Sequence, residues 1–186
     1  AGVLAFSLIS FAGWPPLAWF ALGFFLIASS LQTNKSASVA YLLILLAIGI
    51  VPKQALWSPY YRIDVTPMRA DEANPASPIV GHNLNVNHDY HQRMMNLSEG
   101  SVETRFTAQA RPYYNLIYRL VHPASVLVVG AGSGNDVASA LRHGATRVDA
   151  VEIDPLILRL GRALHPENPY SSDRVRVFND DARAFF

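Results

Sequence analysis

Residues 125–134 read Ser-Val-Leu-Val-Val-Gly-Ala-Gly-Ser-Gly, an unbroken apolar run that enters a glycine-rich loop. No other stretch restricts the fold as much. Such a run suits a strand of a parallel sheet covered on both faces. Glycines at 130, 132 and 134 let the backbone turn tightly and approach a ligand, at the positive end of the helix that follows. That helix is predicted over NDVASALRHG (135–144), closed by Gly144. A second strand is expected over 147–154, then Pro155 and a helix to about Leu164. A third strand over 174–178 ends at Asn179-Asp180-Asp181, before a last helix. Strand and helix in alternation imply right-handed parallel crossovers.

The ends of these strands carry the candidate chemistry. A dinucleotide fingerprint, G-x-G-x-x-G, would need glycine at 135, where Asn135 stands. The spacing present, G-x-G-x-G, is the one typical of S-adenosylmethionine-type folds. Gly130, Gly132, Ser133 and Gly134 are therefore the loop candidates for cofactor binding. Glu152 lies 20 residues after Gly132, at the end of the second strand, where a carboxylate can accept both ribose hydroxyls. Asp154 suits a cap for the helix at Pro155 at least as well as a ligand. Of the pair at the third strand's end, Asp181 is the choice for an adenine amino group, with helix capping as its rival. Together these features predict a Rossmann-like half-domain over 123–186 with a truncated parallel sheet. Its first strand keeps an open edge that a fourth should cover.

The first 52 residues obey a different pattern. They hold one charge, Lys35, whereas residues 53–186 hold 14 basic and 14 acidic groups. The whole chain is 51% hydrophobic and only 16% charged, against about 25% in a typical soluble domain. Two apolar stretches of 17 residues, 15–31 and 36–52, are expected to be transmembrane helices, near the short end of the ~17–25 range. Residues 1–14 look like the tail of an earlier span. Trp14, Trp19 and Trp57 suit interfacial belts, and Lys53, Arg62 and Arg69 against Lys35 favour a cytoplasmic C-terminal part. The localisation expected is a multi-pass membrane protein. A buried hairpin is the alternative.

Residues 53–122 read as a connector. A strand is expected over 57–65, a loop over 66–78, a partner strand over 79–86, and helices over 88–97 and 108–120. His88 and His91, three apart, would share a helix face, but with His82 they lack the carboxylate or thiolate of an obvious metal set, so no metal is assigned. A net charge of +1 gives no electrostatic case for nucleic acid. Zero cysteines exclude disulfides, thiolate zinc sites and a cysteine nucleophile.

The motifs WSPYYRI (57–63), HQRMMNL (91–97), VLVVGAGSG (126–134), VEID (151–154) and NDDARAFF (179–186) resemble the spermidine/spermine synthase-like family, polyamine aminopropyltransferases, in its membrane-fused bacterial form. The resemblance implies a small β-rich piece before a Rossmann-like catalytic domain. It implies decarboxylated S-adenosylmethionine as aminopropyl donor and a polyamine as acceptor. By motif position it places Gln92 near the reacting group, Glu152 at the ribose and Asp181 at the adenine. The family's loop usually carries an aspartate where Ser133 stands, and Ser133 is closer to a methyltransferase loop. Its catalytic aspartate follows a fourth strand, which would lie beyond Phe186. Asp136, the one nearby candidate for a base, suits the helix N-terminus better.

The chain is thus expected to be a fragment of a transferase, inactive on its own, with its catalytic residue unknown. The alternatives are an S-adenosylmethionine-dependent methyltransferase and a non-catalytic nucleotide-binding membrane protein. The partners expected are a small-molecule amine or methyl acceptor and a lipid bilayer, with no nucleic acid; a homo-oligomer is a further option.

Overall fold

The computed structural model describes residues 2–30, 34–50 and 55–186. The chain divides into two compact units, Ala1–Asp64 and Val65–Phe186.

The first unit holds helices α1 (Gly2–Phe11), α2 (Pro16–Ser30) and α3 (Lys35–Ile50), then β1 (Leu56–Trp57) and the start of β2 (Arg62–Arg69). Pro16 opens α2, where its missing N–H has no intrahelical partner to lose. The expected transmembrane helices are not found. Among the described residues no helix is long and apolar enough to cross a membrane. The reason is length: α2 has 15 residues and α3 has 16. At about 1.5 Å per residue each reaches roughly 22–24 Å, short of a ~30 Å hydrocarbon core. The fold is therefore α/β with no membrane-spanning helix among the described residues, and the multi-pass localisation expected is contradicted with it. The orientation argument falls too, because basic residues can orient only a helix that spans. Lys53, with the ends of both expected spans at Leu31 and Pro52, lies outside the described residues. No residue of 2–29 or 34–50 is buried.

The second unit begins within β2 and continues through β3 (Ile79–Val86) and β4 (Asp89–Met95). The strands run in the order β1-β2-β3-β4, antiparallel. The helix expected over 88–97 is β4 instead. Asn87 and His88 both have positive φ, 51° and 74°, the signature of a two-residue hairpin turn that returns the chain beside β3. Leu84 pairs with Gln92 and Asn85 with Tyr90, so His91 is the extra residue of a β-bulge. This separates His88 in the turn from His91 on the strand. Among the described residues no group of His, Cys, Asp and Glu is placed to hold a metal.

Helix α4 (Arg105–Leu116) starts three residues before the expected 108, because Thr104 and Thr107 form a reciprocal capping box. Then come β5 (Ser125–Val129), α5 (Asn135–Arg142), β6 (Arg147–Val151), α6 (Pro155–Leu164), β7 (Val175–Phe178) and the short α7 (Ala182–Phe185). The parallel sheet runs β5-β6-β7, with Val126, Val148 and Val175 in register. Because strand order follows chain order, both right-handed crossovers return over the same face. There Val126, Val128, Val148, Ala150, Val175 and Val177 pack with Val137 and Ala140 of α5, Leu158 of α6 and Tyr170. The opposite face differs from the doubly covered strand expected. Leu127 and Val129 are 41% and 50% exposed. Their neighbours there include Asp149, held by Arg147 and Arg176 at 2.9 and 2.7 Å.

Candidate functional site

The site lies at the carboxyl edge of the parallel sheet, where β5 and β6 end beside β4. Gly130, Gly132 and Gly134 all have positive φ, 70°, 58° and 111°. At two of them glycine is required for space as well. A Cβ on Gly132 would stand 2.6 Å from Gln92 Oε1, and one on Gly134 would stand 2.7 Å from Pro169. Tyr170 supports the loop from below, its hydroxyl donating to the carbonyls of Gly132 (2.7 Å) and Ala131 (3.2 Å). Burial raises the Tyr170 pKa, so the hydroxyl stays a donor.

Each backbone N–H from 131 to 134 already has an acceptor. Ala131 donates to Val151 O (2.9 Å) and Gly134 to Ala131 O (3.1 Å). Gly132 donates to Glu152 Oε2 (2.8 Å) and Ser133 to Gln92 Oε1 (3.0 Å). A loop in this state is no phosphate cradle, since a cradle presents free N–H groups.

Glu152 is only 7% exposed. Its Oε1 accepts from Asp154 N at 2.9 Å, and its Oε2 from Gly132 N. The carboxylate is aimed by two backbone groups, yet each oxygen keeps one lone pair. Two acceptors at one carboxylate match a cis-diol. Asp154 is the cap of α6, accepting from Leu156 N (2.8 Å) and Ile157 N (3.3 Å), which settles its role in favour of the helix.

Gln92 comes from a different sheet. The bulge at His91 lies immediately before it, and its amide crosses to the loop. Oε1 accepts from both Ser133 N and Ser133 Oγ (2.8 Å). Two donors on one atom fix which end of the amide is oxygen. Nε2 is then buried with no partner, a donor waiting for an acceptor. Ser133 is fully buried and neutral.

Asp181 is not drawn into this group. It caps α7, accepting from Arg183 N at 2.9 Å, and both its oxygens face the Arg183 guanidinium. That pairing holds its pKa at about 2. Asp180 Oδ1 accepts from Asp181 N at 2.8 Å.

The sequence argument missed a second set of residues, which hold the loop in place. Asn135, noted only as a departure from glycine, ties four elements together. Its Oδ1 accepts from His165 Nε2 (2.8 Å) and Met95 N (3.3 Å), and its Nδ2 donates to Arg93 O (2.6 Å) and Tyr114 Oη (3.1 Å). His165 is 4% exposed, and its Nδ1 accepts from Glu167 N at 3.1 Å. Burial, with Arg142 adding to it, lowers the His165 pKa to about 4 and keeps the ring neutral. Glu167 receives Arg142 and the N–H of Leu97 (2.8 Å). A tyrosine and a histidine among Pro, Asn and Ser in the 165–172 stretch were the available signal: such groups, once buried, need partners.

No protein-family model matches the chain, and no curated protein does. Among solved structures the chain is similar to a probable spermidine synthase from Corynebacterium glutamicum ATCC 13032. The identity is 16% and the TM-score 0.46, over 68% of this chain. The chain spans 43% of that structure, less than half its length. A likeness at this level carries no argument about activity.

Proposed function

We propose that the site binds the adenosyl part of a sulfonium donor and belongs to an alkyl transferase. Decarboxylated S-adenosylmethionine is the donor and a polyamine the acceptor. The observation that carries the adenosyl reading is the state of Glu152 beside its loop. The carboxylate offers two aimed acceptors for a ribose diol, while the loop's N–H groups are spent and suit no phosphate. The transferred group rests on the motif resemblance. A sulfonium supplies a carbon whose bond to sulfur breaks as the acceptor nitrogen attacks, the nitrogen losing a proton and the thioether leaving. Gly132 leaves room for the Gln92 amide against the loop, and Gln92 Nε2 offers the donor a hydrogen bond.

Methyl transfer from intact S-adenosylmethionine is the second reading, and Ser133 with Gln92 favours it. An aminopropyl ammonium wants an acidic acceptor, which neutral Ser133 does not supply, whereas the unpartnered Gln92 Nε2 donor suits a carboxylate. Calorimetry with both donors separates the two. Tighter binding of the decarboxylated form supports aminopropyl transfer, and a clear preference for the intact form replaces it with methyl transfer. Glu152→Ala should weaken either donor about tenfold or more, as loss of charge-assisted hydrogen bonds implies. Unchanged affinity would remove the ribose assignment.

A further inference from the structure

Between α4 and α5 lies a cavity of about 370 Å³ lined by Tyr113, Tyr114, Ile117, Tyr118 and Asp136. None of these residues carries the donor site described above. Two of the three rings are fixed. Tyr118, 9% exposed, stacks on His143 with ring centroids 4.6 Å apart and planes 10° apart. Tyr114 accepts from Asn135 Nδ2 through its hydroxyl. Tyr113, 79% exposed, forms the outer wall.

Asp136 brings a charge to this aromatic setting. Among the described residues it has no ion-pair partner, and its own backbone N–H is its hydrogen-bond donor. The residue is exposed at the rim, yet its carboxyl faces enough protein for burial to raise its pKa. Burial likewise raises Tyr114 and Tyr118, and the Asp136 charge adds to both. The cavity therefore combines a carboxylate without an ion-pair partner among the described residues with a lining of three tyrosines. Both attract a cation that carries apolar surface, because such a cation loses little hydration on meeting a ring. Neither favours a neutral or anionic ligand. A volume near 370 Å³ lies at the low end of small-molecule sites.

We propose that this cavity binds a small organic cation, an ammonium group held by the Asp136 carboxylate against the rings of Tyr113, Tyr114 and Tyr118. The site is independent of the adenosyl reading, and either can fail alone. Its test is a titration of the full chain with choline, followed by the amide resonances of residues 113–118 and 135–137. The uncharged isostere 3,3-dimethylbutan-1-ol serves as control. Choline should give saturable shifts at millimolar concentration and the alcohol none. Asp136→Asn should raise the choline Kd about tenfold, and Tyr113→Ala about threefold, in keeping with an exposed cation–π contact. Both positions are exposed, so the variants keep their fold. Absence of saturable shifts, equal binding of the alcohol, or an unchanged Kd in Asp136→Asn would each overturn the proposal.

Discussion

Two neighbouring strand ends of the parallel sheet carry an acidic residue, and they use it differently. At the end of β6, Glu152 is buried and aimed by two backbone N–H groups, Gly132 N of the glycine loop 20 residues away and Asp154 N two residues on. At the end of β7, Asp181 serves its own chain, capping α7 and gripping Arg183 two residues on. The difference lies in the surroundings. The β5–α5 loop packs against Gln92, Tyr170 and Asn135, and that frame holds Gly132 N in place for Glu152. At the β7 end Asn179 Nδ2 bonds the carbonyls of Glu152 and Ile153, but the Asp181 carboxylate takes its donors from Arg183. A strand-end carboxylate fixed in part by a distant loop keeps its remaining lone pairs free of its own helix, whereas one that caps its helix and grips a neighbouring arginine does not.

The frame can be broken at Asn135. Asn135→Ala would leave Met95 N, Arg93 O, His165 Nε2 and Tyr114 Oη without their partner, where Met95 and His165 are buried and Arg93 and Tyr114 half-buried. At about 1–3 kcal/mol for each buried group left unmade, with some relaxation, the loss should be roughly 3–5 kcal/mol in urea unfolding. A loss below about 1 kcal/mol would show that the loop stands without this frame, and the contrast between the two strand ends would lose its cause.

The same frame predicts a pH dependence. His165 has a folded pKa of about 4, below its ordinary 6.5. The unfolded chain therefore binds the proton more readily, and the unfolding free energy falls as pH drops from about 6.5 to about 4. Above 6.5 the residue contributes no slope. The full loss is about 3 kcal/mol, from a shift of that size at about 1.4 kcal/mol per pH unit. The measurement compares urea midpoints at pH 7 and pH 4.5 in the native chain and in His165→Gln. The variant should show a markedly flatter profile. Identical profiles would mean that His165 is not a buried neutral member of the frame.

Much of the second unit was legible because its signals are local. The run 125–134, the period of α5 and α6, Pro155 after Asp154 and the spacing from Gly132 to Glu152 each speak of neighbours in sequence. The failures have physical reasons of their own. Hydropathy marked the apolar segments of residues 1–52, but it does not measure helix length, and α2 and α3 have 15 and 16 described residues, too few for a span. The strand β4 was mistaken for a helix because its bulge at His91 breaks the alternation a strand normally shows. Asn135, His165 and Tyr170 were invisible because their partners lie 30 to 42 residues away. Gln92 could be placed only through a resemblance, since nothing in its own segment foretells Ser133, 41 residues on.

The smallest expected effect is at Asp181, and it sharpens the contrast most. Arg183 is 90% exposed on its side chain and Asp181 33%, so the pair stands largely in water. Exposed pairs of this kind contribute little to stability, and the helix it caps has four residues. Asp181→Ala should leave the urea midpoint unchanged within error. For its carboxylate to reach an adenine amino group, it would first have to release Arg183. Donor affinity in Asp181→Ala should therefore fall less than threefold, against the tenfold loss expected for Glu152→Ala. Arg183→Ala provides the complementary arm, since it frees the carboxylate without removing it. If donor binding tightens in Arg183→Ala and weakens strongly in Asp181→Ala, the β7 end turns its carboxylate toward the ligand on binding. The two strand ends would then differ in readiness rather than in role.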